Sequence, residues 1–73
     1  MGNTTIRTAK LGIAEEFRNM NVGDIVQFPT DKYNYSTIRS TPGSSLINER
    51  MNGMRWKTRV DYENKCIEVT RTA

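Results

Sequence analysis

Strict alternation in residues 54–60 constrains the fold of this chain more than any other feature. One face of this segment carries Met54, Trp56, Thr58 and Val60, and the other carries Arg55, Lys57 and Arg59. A period of two is that of a β-strand with one buried face. Residues 65–72 alternate in the same way, with Ile67 and Val69 on their apolar face. The two segments therefore predict a β-hairpin with one apolar face and one basic face.

The length of the loop between these segments predicts the register of the hairpin. A four-residue loop, residues 61–64, pairs Val60 with Lys65, Thr58 with Ile67 and Trp56 with Val69. This register puts both apolar sets on one side of the sheet and places Lys57 opposite Glu68. Trp56 is accordingly interpreted as a core residue rather than as a stacking surface.

Upstream, the spacing of apolar residues indicates a helix followed by a strand. Over residues 9–20, apolar side chains recur every three or four positions, at Leu11, Ile13, Ala14, Phe17 and Met20. This period predicts an amphipathic helix that begins after Thr8 as N-cap and keeps Glu15, Glu16 and Arg18 outside. Residues 25–28 are a short β-branched run, which predicts a strand ended by Pro29 because proline cannot donate to a β-ladder.

Residues 33–53 admit two interpretations. In the favoured one, Ser36 caps a short first helix, the chain bends at residues 40–41, and a second helix spans residues 42–52. Gly53 then closes the second helix, and Leu46, Ile47 and Met51 face the core. The alternative is one kinked helix. Tyr33 and Tyr35 are interpreted as half-buried residues at the start of the helical region.

The predicted fold class is α+β. A helix, a strand, two short helices (or one kinked helix) and a β-hairpin form a small three-stranded antiparallel sheet packed on the helices. Residues 1–8 are expected to be a flexible tail or a short edge strand, and residues 9–73 a single domain. A chain of 73 residues buries only about 60% of its unfolded surface, so the core is small.

This order of elements over residues 9–71 resembles the winged helix-turn-helix domain of DNA-binding proteins. The resemblance implies that residues 42–52 are a recognition helix in the major groove, with Ser44, Ser45, Asn48 and Arg50 nearest the bases or phosphates. It also implies that the hairpin loop touches the adjacent backbone. The sequence departs from the pattern at Ser44 and Ser45, where packing between the two helices favours larger side chains. In size and style the chain also resembles small proteins of phages and mobile elements, a likeness that implies no mechanism.

The positive charge is concentrated in one part of the chain. Eleven Lys and Arg against eight Asp and Glu give a net charge of +3, but residues 32–59 hold six basic residues and one acid. Along a strand, Arg55, Lys57 and Arg59 lie about 6.5–7 Å apart, a spacing that can follow nucleic-acid phosphates. The alternative is a solvated edge whose charge prevents association between sheets. The candidate binding residues are Arg39, Ser44, Ser45, Asn48, Arg50, Arg55, Lys57 and Arg59.

These patterns predict a small, non-enzymatic nucleic-acid-binding protein, with DNA favoured over RNA. The chain has no histidine, no phosphate-cradling glycine loop and no metal-ligand pattern, so neither an enzyme nor a cofactor is expected. Cys66 falls on the basic face, where it can be exposed, and is interpreted as an ordinary thiol. A single cysteine and the lack of an apolar span favour the cytoplasm and no membrane contact. The alternative function is a protein-interaction module: an adaptor or inhibitor of an acidic partner, or a homodimer.

Overall fold

The computed structural model describes residues 6–73 and shows an α+β fold. Its elements in chain order are β1 (Ile6–Thr8), α1 (Ile13–Arg18), β2 (Ile25–Pro29), α2 (Tyr35–Ser44), α3 (Ile47–Met51), β3 (Trp56–Asp61) and β4 (Cys66–Arg71). From α1 onward this is the predicted order of helix, strand, two helices and hairpin. The prediction of an α+β fold with a terminal hairpin is therefore confirmed.

The sheet has four strands in the order β1-β2-β4-β3, so the prediction of three antiparallel strands is wrong. β2 and β3 both pair antiparallel with β4, whereas β1 pairs parallel with β2, with Ile6 opposite Ile25. The backbone N–H of Ala9 then donates to the carbonyl of Gln27 and continues this pairing. Three residues are too few for β1 to show an alternating pattern, so the sequence gives no clear signal for the parallel strand.

One face of the sheet carries the core, and the helices cover it. Val26 and Phe28 of β2 are buried together with Ile67 and Val69 of β4. Phe17 of α1 and Ile38 of α2 also belong to this cluster, together with Ala9, Met20 and Leu46 from the connecting segments. Phe17 packs against both Phe28 and Trp56, with ring centroids 6.0 and 5.5 Å apart. The described helices pack on this core face, and Gln27, Lys57 and Glu68 lie on the opposite face, which we call the uncovered face.

The predicted hairpin register is wrong by two residues. Thr58 pairs with Val69 rather than Ile67, and Arg59, not Lys57, lies opposite Glu68. The cause lies in the turn, where the Asp61 carboxylate accepts the backbone N–H groups of Glu63 and Asn64. The strand thus extends through Asp61 and the turn moves to residues 62–65. Because the shift is even, the apolar and basic faces are unchanged.

Lys65 ends this turn with a positive φ of 51°. We expect Lys65→Gly to stabilise the protein by about 0.5–1 kcal/mol. Removing the Cβ relieves a cost of about 1–2 kcal/mol in the left-handed region. Part of this gain is offset because glycine loses more backbone entropy on folding than lysine does. The change corresponds to a rise in Tm of about 2–8 °C for a domain of this size. Thermal unfolding followed by circular dichroism measures it. Lys32→Gly, at an exposed site without this φ, is the control and should not raise the Tm.

The first helix is shorter than predicted, because α1 starts at Ile13 rather than Ala9. Thr8 belongs to β1, and Gly12 occupies the N-cap position without a side-chain hydrogen bond. Glu16, predicted to lie outside, is fully buried. Its carboxylate accepts the backbone N–H groups of Lys10 and Leu11 at 2.6 and 2.9 Å, which holds this segment outside the helix. Leu11 is consequently exposed instead of part of the core.

The two helices of residues 33–53 exist, but the boundary between them is at residues 45–46 rather than 40–41. Asn34, not Ser36, caps α2, since its side chain accepts the N–H of Ser36 at 2.8 Å. α2 then continues through Pro42 to Ser44. Pro42 lies in the last turn, where the helix loses only one backbone hydrogen bond to it. A continuous helix over residues 42–52 is therefore not present.

The short α3 has a different apolar face from the one predicted. Leu46 precedes it and is fully buried, as expected. Ile47 and Met51, predicted to face the core, are 52% and 79% exposed. A helix of five residues makes little more than one turn, so Leu46 alone anchors it to the core.

Within the described residues the longest helix, α2, has ten residues. A bilayer needs about 20 apolar residues in one helix. No helix in residues 6–73 can therefore cross a membrane.

Candidate functional site

The structure divides the predicted basic row into two parts. Arg55 precedes β3 and turns towards α3, where its Nη1 donates to the carbonyls of Arg50 and Met54 at 2.8 Å each. Lys57 and Arg59 remain on the uncovered face of β3. Arg59 Nη2 donates to Glu68 Oε1 at 2.6 Å, and this bond raises the pKa of Arg59. The charge of Arg59 is thus compensated by the Glu68 carboxylate, whereas Arg55 contacts the backbone at Arg50 and Met54.

Arg55 meets two other arginines around a groove of about 550 Å³. Arg39 contributes from α2, Arg50 from α3, and Arg55 from the segment before β3. We call this feature the arginine groove. Gly43 lies beside Arg50 in this groove, and Nη1 of Arg50 is 3.9 Å from the position that a Cβ on Gly43 would take, an ordinary van der Waals distance. Trp56 also lines the groove, so guanidinium groups and an aromatic ring share one concave surface.

The arginine groove carries positive charge that no carboxylate compensates within the described residues. The ion pairs found in residues 6–73 are Arg7–Glu16, Arg18–Glu49 and Arg59–Glu68. Glu49 precedes Arg50 in the chain, but its Oε2 binds Arg18 Nε at 2.9 Å. A bond from its own backbone N–H and the bond from Arg18 lower the pKa of Glu49. Since arginine stays protonated at all ordinary pH values, the groove has a permanent attraction for anions.

The candidate serines and asparagine have different positions. Ser44 lines the arginine groove together with Ser40, and each hydroxyl donates to a carbonyl of its own helix, Ser44 to Ser40 at 3.1 Å and Ser40 to Thr37 at 3.2 Å. Ser45 and Asn48 are exposed but are not among the residues that line the groove. The hydroxyl donors and Nη1 of Arg55 are already used, so within the described residues the remaining side-chain donors are the guanidinium groups of Arg39 and Arg50 and the Nε and Nη2 groups of Arg55.

Two smaller depressions adjoin the arginine groove, and each shares a wall with it. Beyond Arg39 and Ser40 lies a depression of about 370 Å³ that also contains Tyr35, and we call it the Tyr35 depression. Beyond Arg50 and Arg55 lies one of about 400 Å³ that contains Ile47 and Met51, the Met51 depression. Arginine side chains therefore separate three successive concave surfaces.

Trp56 and Tyr35 are both partly buried. Trp56 packs against Phe17, and its Nε1 donates to the Phe17 carbonyl at 3.2 Å, while the residue also borders the arginine groove. Tyr35 is 38% exposed, which agrees with the expected half-buried position. Tyr35, Arg39 and Gly43 recur every four residues, which places them on one face of α2. The sequence prediction missed this four-residue spacing because it started a new helix at Pro42, which put Tyr35 and Gly43 on different helices.

A second group of side chains lies on the uncovered face of the sheet. The ligand atoms of Asp61, Cys66 and Glu68 lie within 4.8 Å of one another, a grouping of metal-ligand types that the sequence did not indicate. Glu68 already binds Arg59 and Gln27, and Asp61 binds the turn. Cys66 is buried rather than exposed, and burial raises the pKa of its thiol. The guanidinium of Arg59 is thus the cation that this group already holds.

The arginine groove is the described surface best suited to bind a ligand through charge. Guanidinium groups recognise carboxylates and phosphates through paired, charge-assisted hydrogen bonds. An aromatic ring beside them adds a surface for planar groups. Comparison of the chain with protein-family models, with curated proteins and with solved structures finds no match.

Proposed function

We propose that this protein binds nucleic acid through backbone phosphates held in the arginine groove. One observation carries the proposal: Arg39, Arg50 and Arg55 come from three separate elements to one groove, and none forms an ion pair within residues 6–73. Bringing like charges together costs free energy unless an anion compensates them. A phosphodiester strand supplies such charges at regular intervals.

Lys57 and Arg59, the other basic candidates, contribute less to phosphate binding in this proposal than the groove arginines do. Lys57 is exposed on β3 but points to the face opposite Trp56, so any phosphate it contacts lies outside the groove. Arg59 contributes least, because its ion pair with Glu68 must be broken before it can bind a phosphate. The recognition helix over residues 42–52, on which the preference for DNA over RNA rested, is interrupted at residues 45–46, so the proposal covers both polymers. No catalytic step is part of the proposal.

The test is a titration of fluorescently labelled duplex DNA, single-stranded DNA and RNA, followed by anisotropy. If the protein makes three phosphate contacts, raising the salt from about 50 to about 200 mM should weaken binding about 20- to 40-fold. Each contact adds about 0.7–0.9 to the slope of log affinity against log salt. A flat response, or no anisotropy change with any of the three polymers at the lower salt, would refute the proposal.

A second candidate function is docking of an acidic polypeptide on the same surface. The exposed side chains of Ile47 and Met51, next to Arg50 and Arg55, favour it, because they offer an apolar contact beside positive charge. Association of two copies through this surface is disfavoured, because it would bring like charges together. Binding of a synthetic acidic amphipathic peptide, with no binding of any oligonucleotide, would select this candidate over the first.

A further inference from the structure

Resting on the proposed function, we infer that the ligand is single-stranded nucleic acid. Its bases occupy the Tyr35 depression, the arginine groove and the Met51 depression in turn. Its phosphates lie at the arginine walls between them. This inference adds to phosphate binding the strandedness of the polymer and the residues that contact its bases.

The arrangement of the walls matches a single strand. Arg39 separates the first depression from the second, and Arg50 with Arg55 separates the second from the third. Tyr35 and Arg39 lie one helical turn apart, about 6 Å along the axis of α2. A strand that follows the three depressions therefore alternates base contacts with charge contacts.

Each depression offers an aromatic or apolar surface to a base. Tyr35 is 38% exposed in the first, the half-buried Trp56 ring borders the second, and Ile47 and Met51 line the third. Base stacking on aromatic side chains is tolerant of sequence, because every base has a π-face. Only an unpaired strand presents those faces, since a duplex hides them within its own stack.

The shape of the surface disfavours a duplex. Reading a duplex requires a protruding helix or ribbon that enters the major groove. Here α2 ends at Ser44 and α3 has five residues, so no continuous helix spans residues 42–52. The arginines instead line concave surfaces, which suit a splayed-out base.

Trp56 is the single tryptophan of the chain and lines the arginine groove, so its fluorescence responds to a ligand that binds there to the folded protein. The probes are an oligothymidylate of about ten nucleotides, an abasic phosphodiester strand of equal length, and a duplex of equal length. We expect oligothymidylate to quench Trp56 and to bind about ten-fold or more tightly than the abasic strand, the effect of losing one stacked base. An oligouridylate that behaves like oligothymidylate also supports the inference, because it too is unpaired.

Three results would overturn the inference but not phosphate binding: equal affinity for the abasic strand, equal or tighter binding of the duplex, or unchanged Trp56 fluorescence with saturating oligothymidylate. In each of these, the salt-dependent anisotropy of labelled strands would persist. Loss of that anisotropy signal as well would overturn the proposed function together with the inference.

A matched pair of tyrosine variants tests the stacking contact itself. Tyr35→Ala should weaken oligothymidylate binding about ten-fold and leave the abasic strand unaffected. Tyr62→Ala is the control, because Tyr62 is 84% exposed in the β3–β4 turn, away from the three depressions. Circular dichroism verifies that both variants fold. Equal oligothymidylate affinities for the two variants would contradict a base contact at Tyr35.

Discussion

Replacing Glu16 with alanine is expected to destabilise the protein by about 2–4 kcal/mol, the range for removing one partner of a buried, hydrogen-bonded ion pair. The Glu16 side chain is fully buried and binds the Arg7 guanidinium. It also accepts the backbone N–H groups of Lys10 and Leu11. One carboxylate thus joins β1, the connecting segment and α1. A domain of this size is stable by only about 4–11 kcal/mol in total, so the loss is a large part of it.

Urea unfolding followed by Trp56 fluorescence measures this change. Glu15→Ala is the matched control, because Glu15 is the adjacent residue of α1 and is exposed. An exposed substitution of this kind is expected to change the free energy of unfolding by less than about 0.5 kcal/mol. Equal stabilities of the two variants would show that the contacts of Glu16 contribute little.

The same carboxylate predicts how stability depends on pH. Burial by itself raises the pKa of Glu16, but hydrogen bonds from Lys10, Leu11 and Arg7 outweigh burial and lower the pKa below its ordinary value of 4.5. Because the pKa is lower in the folded state, the contribution of Glu16 is complete above the ordinary value and is lost as the pH falls through the folded one. Glu16→Gln should therefore be less stable than the wild type at neutral pH, with the difference shrinking in acid.

Removing the three groove arginines together is expected to lower nucleic-acid affinity by about 10³-fold or more at low salt, since each charged hydrogen bond contributes roughly 1.5 kcal/mol or more. The variant is Arg39→Ala, Arg50→Ala and Arg55→Ala. Its salt slope should fall by about two to three units, because three fewer counterions are released on binding. Anisotropy titrations at several salt concentrations measure both quantities.

Arg59→Ala is the matched control for each single groove variant. It removes the same charge as Arg39→Ala, but from a side chain that is paired with Glu68. We expect Arg39→Ala to weaken binding clearly more than Arg59→Ala does. Equal losses would mean that overall charge, rather than the groove, controls binding. Because Arg55 also binds the carbonyl of Arg50, a lysine triple variant is informative: it keeps the salt slope while losing the paired geometry of arginine.

The sequence predicted the locally periodic parts of the fold. The alternation in residues 54–60 and 65–72 fixed which face of the hairpin is apolar, and that face is the same in the structure. The basic segment, residues 32–59, includes all three groove arginines. Neither pattern could set the hairpin register, because two registers that differ by two residues keep the same faces. The Asp61 bonds in the turn decided between them.

Glu16 shows why periodicity failed in α1. A helix that begins after Gly12 was not distinguishable from one that begins at Ala9, and charge placed Glu16 outside. Its partner Arg7 lies nine residues away, on a parallel strand that is too short to give a signal. A buried charge is stable only with such a partner, and the partner is brought by the pairing of β1 with β2.

The sequence by itself determined the α+β class, the amphipathic hairpin and the concentration of positive charge, because each depends on neighbours a few residues apart. Tertiary structure alone decided that Arg39, Arg50 and Arg55 share a groove while Arg59 does not. That grouping depends on the continuation of α2 through Pro42 and on the break before α3, which the buried Leu46 anchors. Packing across the chain sets these positions, and local spacing does not encode it.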